Sequence, residues 1–85
     1  MLTEYVRAAM RRAKYKKLDE GGGFLGRIPG FRGVLANADT LKACREGLRS
    51  VLEDWIIVGV RLGHSLPIVD GINLNPRKTR KRKVA

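Results

Sequence analysis

One cysteine and one histidine are the whole supply of thiol and imidazole in this 85-residue chain. A lone Cys44 excludes an internal disulfide and fits a reducing compartment. It falls among apolar residues at helical spacing, where a cysteine acts as a small buried hydrophobe rather than a nucleophile. His64 lies near an expected helix end and reads as a residue facing backbone carbonyls, because a general base needs a placed partner that the sequence does not supply. Metal ligands at recognisable spacing are absent. The carboxylates are few and dispersed: Asp19 and Glu20 fall in a turn, Asp39 at a helix start, Glu53 and Asp54 on a solvated helix face, and Asp70 alone. A two-metal centre needs converging carboxylates that hold ions roughly 4 Å apart, and nothing in this spacing argues for convergence. No catalytic residue, metal or cofactor is therefore expected.

Long apolar runs are missing too. The longest without charge is Trp55-Ile56-Ile57-Val58-Gly59-Val60, and the opening MLTEYVRAAMRRAKY is broken by Glu4, Arg7, Arg11 and Arg12. Neither approaches the roughly 20 apolar residues of a membrane span, and the opening lacks the apolar centre of a secretory signal. A cytoplasmic protein is the expectation.

Positive charge is plentiful, with 18 Lys and Arg against 8 Asp and Glu, a formal net charge of +10. Six of those cations are Arg77, Lys78, Arg80, Lys81, Arg82 and Lys83, so residues 1–76 carry 18 − 6 = 12 basic groups against 8 acidic ones. The body is then close to balanced, and basicity that could hold polyanions is gathered in residues 77–85. That segment has no aromatic to stack on bases and no scaffold to read them, so it reads as a solvated tail able to hold nucleic-acid phosphate without sequence preference. Residues 1–76 form the expected single domain. A body this short buries only about 60% of its unfolded surface, which favours association with other chains.

Along the chain, Leu2, Val6, Ala9, Met10 and Ala13 recur at three- and four-residue spacing and predict a short amphipathic helix. Lys14 to Leu18 reads as a first strand, and Asp19-Glu20-Gly21-Gly22-Gly23 as a hairpin tip. Phe24 to Pro29 alternates like a second strand, and Val34 to Ala36 like a third, antiparallel by the shortness of the connection. Thr40 is the expected N-cap of a long helix ending at Gly63, with Leu41, Cys44, Leu48, Val51, Leu52, Trp55, Val58, Gly59 and Leu62 on its stripe. Leu66 to Leu74 reads as a final strand. The fold class is α+β: helix, three-stranded antiparallel meander, long helix, strand.

The order Ile28-Pro29-Gly30-Phe31-Arg32-Gly33-Val34-Leu35-Ala36-Asn37-Ala38-Asp39-Thr40-Leu41 resembles the amino-terminal domain of HicB-family antitoxins. Their signature is a strand ending in Ile-Pro or Leu-Pro, a glycine corner, a second strand, and Asp-Thr-Leu opening a helix. Lys42 and Ala43 stand where the family often has acidic residues. The resemblance implies a partial ribonuclease H-like fold and a non-catalytic role: neutralising a small HicA-like ribonuclease toxin by covering its active surface. It also implies assembly into dimers or tetramers.

The long helix is apolar nearly all round at Trp55, Ile56, Ile57 and Val60, which are the expected oligomer interface. Phe31 and Arg32, an aromatic and an arginine together at the corner tip, are the candidate partner contact. An alternative function is a small oligomeric nucleic-acid-associated protein using the basic tail.

Overall fold

The computed structural model describes residues 2–19 and 21–75. Helix α1 (Leu2–Arg11) is followed by strands β1 (Lys14–Lys17), β2 (Phe24–Arg27) and β3 (Leu35–Ala38), and then by helix α2 (Leu41–Leu62). The strands form one antiparallel sheet in the order β1-β2-β3, with Lys14 opposite Arg27 and Phe24 opposite Ala38. The expected α+β order of helix, meander and long helix is therefore present.

Each element follows from local chemistry. α1 buries Tyr5, Val6, Ala8 and Ala9, one face at helical spacing, and leaves Leu2 exposed at its start. Leu18 and Gly23 close the first hairpin through an N–H to carbonyl bond of 2.9 Å. Gly21, Gly22 and Gly23 all hold positive φ there, which glycine adopts without a steric penalty. Thr40 caps α2 by accepting the Ala43 N–H on its hydroxyl at 3.0 Å, and Gly63 stops the helix in the left-handed conformation at φ 74°.

The link from β2 to β3 is a double turn. Phe31 N–H donates to the Ile28 carbonyl and Val34 N–H to the Phe31 carbonyl, with Gly30 and Gly33 at positive φ between them. Turning twice at a three-residue interval sends every third side chain inward, so Ile28, Phe31 and Val34 are all buried.

The core is a single cluster between α1, α2 and the sheet, built on Tyr5, Val34, Leu48, Leu52 and Val69 at full burial. Burying a Leu or Val of this kind contributes about 1.5–3 kcal/mol. Phe31 lies between Tyr5 (ring centroids 6.2 Å apart, 61° between planes) and Trp55 (5.2 Å, 54°). These tilted and edge-on pairings suit the aromatic quadrupole and tie α1, the corner and α2 together.

Leu66 to Leu74 does not form the expected final strand. The chain instead makes one small hairpin, with Val69 and Ile72 exchanging both backbone hydrogen bonds at 3.1 and 2.7 Å. Asp70 (φ 49°) and Gly71 (φ 78°) fill the two turn positions, both left-handed, as a tight two-residue hairpin requires. Tyr5 fastens the arm to the body by donating its hydroxyl proton to the Pro67 carbonyl, and Asn75 ties the two ends of the arm together, its side-chain amide accepting from Leu66 N–H (2.6 Å) and donating to the Leu66 carbonyl (3.0 Å). The arm thus covers Leu66 and Val69 over the core without extending the sheet.

Candidate interaction site

The last turns of α2 leave an apolar ledge in solvent. Ile57, Val58, Val60 and Leu62 are 54%, 52%, 50% and 63% exposed. Helix geometry places Ile57 on the side facing away from the buried row of Leu48, Leu52, Ile56 and Gly59, and Val60, three residues on and one turn from Ile56, on one flank of that row. Val58 and Leu62, four apart, lie on a flank shared with Trp55. Single exposed hydrophobes are ordinary, but several gathered on one helix end make a candidate interaction surface.

Of the four residues expected at an interface, Ile57 and Val60 are exposed together. Ile56 is not, being 3% exposed and packed in the core, and Trp55 is half-buried beside Phe31. The apolar segment reads the same all round, so sequence does not say which residue meets the arm; the turn at Gly63 folds Leu66 back over Gly59, and the row of Ile56 becomes the inner one. The stripe expected from helical spacing also includes Val58 and Leu62, and their exposure has the same origin.

Phe31 is also corrected. At 4% exposure it is a core residue, carried inward by the double turn, and it cannot be the aromatic half of a surface contact. Arg32 is exposed on the corner. It borders a shallow depression of about 540 Å³ that Arg27, Leu35, Trp55, Ser65 and Pro67 also line. Leu35 is 51% exposed there, at the uncharged outer strand of the sheet, whereas the other edge carries Lys14, Lys16 and Lys17. Lysines of that kind discourage pairing, so of the two edge strands β3 is the less protected. Arg77, Lys78, Arg80, Lys81, Arg82 and Lys83 lie outside the described residues.

The titratable groups sit in structural settings. Asp70 accepts from Arg11 (3.1 Å) and Arg12 (3.0 Å), and these two bonds hold its carboxyl below the usual carboxylate range. Burial pushes the Tyr5 hydroxyl above its ordinary value. Burial does the same to Tyr15, with Arg45 opposing and Cys44 reinforcing. Cys44 is fully buried, its Sγ 3.6 Å from the Phe24 carbonyl and 3.5 Å from that of Ala36, close enough for a weak S–H bond to either. His64 donates its backbone N–H to the Gly59 carbonyl at the helix end. Among the described residues no three His, Cys, Asp or Glu side chains come together to hold a metal, and no helix is long and apolar enough to cross a membrane.

Fold and surface define a small two-layer α+β domain, a three-stranded antiparallel sheet backed by two helices, with an apolar ledge on the longer one. The chain belongs to the UPF0150-like family, whose profile matches residues 4–67. It is similar to TTHA0281 from Thermus thermophilus, known from a crystal structure. The two share 31% identity over 91% of this chain and 95% of that one, with a TM-score of 0.82. No curated protein matches the sequence.

Proposed function

We propose that this chain is a non-catalytic binding protein of the antitoxin type, which neutralises a small HicA-like ribonuclease by covering its active surface. The observation that carries this reading is the ledge of Ile57, Val58, Val60 and Leu62 on a domain too small to cover it. Membership of the UPF0150-like family and the HicB-like order of residues 28–41 support it. The chemistry is occlusion, which needs apolar area and an open edge rather than an activated group.

The same ledge serves self-association. Ile57 and Val60 join two copies of the chain, leaving Val58 and Leu62 on the Trp55 flank, with the uncharged β3 edge and Arg32, for the toxin. A reducing cytoplasmic setting suits the lone thiol of Cys44.

The test is co-expression with the protein encoded next to this one, followed by size-exclusion chromatography with light scattering and an RNA-cleavage assay. A stoichiometric complex that silences cleavage is the expected result. Failure to form any complex, together with a homo-oligomer that shifts RNA only while residues 77–85 are present, would replace this reading with the nucleic-acid-associated one.

A further inference from the structure

Far from the ledge, the first half of α2 and the outer side of α1 do not close on each other, and a groove of about 810 Å³ runs between them. Met10 and Leu41 supply its apolar surface, with buried Val6 beneath them. Arg7 and Arg11 project from the α1 wall, and Lys42, Arg45 and Arg49 from the α2 wall. Glu46 is the single carboxylate among the lining residues.

The spacing builds this arrangement. Arg7 and Arg11 are one turn apart, and Lys42, Arg45 and Arg49 follow at three and four residues, so each helix lays down a row of cations beside the groove. Like charges one turn apart on a helix destabilise it by a few tenths of a kcal/mol per pair. Asp70 offsets Arg11, and Glu53 offsets Arg49 at 3.3 Å. Arg7, Lys42 and Arg45 make no ion pair among the described residues, and with Glu46 the one carboxylate beside them they leave an excess of positive charge around an apolar floor.

We propose that this groove docks an acidic amphipathic helix from a partner protein, its apolar side on Met10 and Leu41 and its carboxylates against Arg7, Lys42 and Arg45. Charge complementarity selects the sign of the occupant, and the floor selects a protein segment over a nucleic acid. A sugar-phosphate strand has nothing apolar to place on Met10 and Leu41, and the groove holds no aromatic ring on which a base could stack. The basic residues at positions 77–83 of this chain carry the wrong sign to occupy it. Size agrees: two turns of helix fill a cylinder about 10 Å wide and about 10 Å long, roughly 800 Å³. The surface is separate from the ledge, since Leu41 to Arg49 and Ile57 to Leu62 occupy opposite ends of α2. An acidic helix is also different chemistry from a basic ribonuclease.

The full chain would be titrated into a fluorescein-labelled peptide of about four helical turns, with Leu at i, i+3, i+4 and i+7 and Glu on both flanks. A scrambled peptide of the same composition and a polyuridine strand of equal length are the comparison probes. The expected result is saturable anisotropy for the patterned peptide, at least about tenfold weaker for the scramble. R7Q/R45Q should weaken binding by about tenfold or more, and L41S by several-fold, while K16Q/K17Q, which removes equal charge from β1, should change it by less than about twofold. Circular dichroism confirms that each variant is folded. Equal binding of both peptides, equal loss with the β1 variant, or no binding of the patterned peptide would overturn the proposal. Tighter binding of polyuridine that displaces the peptide would overturn it in favour of a phosphate track.

Discussion

Replacing Ile57 and Val60 together by lysine tests the ledge where its energetics are simplest. Each side chain is about half exposed, at 54% and 50%. Full burial of an Ile or Val contributes about 1.5–3 kcal/mol, so covering the exposed half contributes about 0.8–1.5 kcal/mol. In a two-fold dimer each residue appears twice, and the four side chains together contribute about 3–6 kcal/mol. Association itself costs at least about 4 kcal/mol, so an interface centred on them is marginal and loses its driving force when they are removed. The double substitution should weaken dimerisation by about 100-fold or more. Lysine is as good a helix former as either parent residue and its stem can keep part of the buried contact, so monomer stability should move by no more than about 1 kcal/mol for the two substitutions together. Sedimentation velocity over about a hundredfold range of concentration reads the first quantity, and urea unfolding at the lowest concentration reads the second. The reasoning is refuted if the parent is monomeric throughout, or if I57K/V60K keeps the parent's mass. Retained mass in that variant combined with dissociation of V58K/L62K would move the interface to the Trp55 flank.

Three further outcomes follow from the packing. A Cβ at Gly26 would sit 3.0 Å from Cδ1 and Cε1 of Tyr15 and 3.2 Å from Cys44 Sγ, so G26A should destabilise by about 1–3 kcal/mol in urea unfolding. Y5F removes the hydroxyl that donates to Pro67 while keeping the ring against Phe31; a loss of about 0.5–1.5 kcal/mol is expected, with the near-ultraviolet signature of the aromatic cluster preserved. Asp70 titrates below the usual carboxylate range in the folded state because Arg11 and Arg12 bond to it, so its stabilising contribution is complete above the ordinary Asp value and is lost as pH falls through the lowered one. The D70N variant, which tolerates the left-handed turn, should lose that acid-side dependence of the urea midpoint, by a small amount that 1 M salt erases because the pair is exposed.

Much of this architecture is readable from residues whose local chemistry admits one solution. Thr40 and Gly63 bound α2 because a hydroxyl cap and a left-handed stop are needed there, and the glycine cluster at 21–23 has to be a turn. The misread places are those where tertiary context decides. Leu66 to Leu74 has the apolar content of a strand, but Asp70-Gly71 in its middle is a two-residue hairpin signal that divides it. Phe31 looks like a corner-tip aromatic until the two glycines are counted together. Positive φ at both Gly30 and Gly33 makes a double turn whose three-residue repeat returns Phe31 to the core. The groove between α1 and α2 escapes a linear reading because its charge is assembled from Arg7 and Arg45, which are distant in sequence and neighbours only after folding.

Element lengths explain why both candidate surfaces lie on α2. At 1.5 Å per residue its 22 residues span about 33 Å, whereas strands of four residues cover about 13 Å. The sheet can therefore back only part of the helix, even at a steep crossing angle. Cys44, Leu48 and Leu52 fall over the strands and the corner and are fully buried. Beyond them the arm from Leu66 to Val69 covers the row of Ile56 and Gly59, and leaves Ile57, Val58, Val60 and Leu62 without material above them. At the other end α1 is only 10 residues long and leaves a groove along the first turns of α2, where Leu41 is exposed. A shorter helix would have closed the domain on itself. A 22-residue helix on strands of four residues leaves two uncovered ends, one apolar and one cationic, so the two proposed partners would not compete for the same residues.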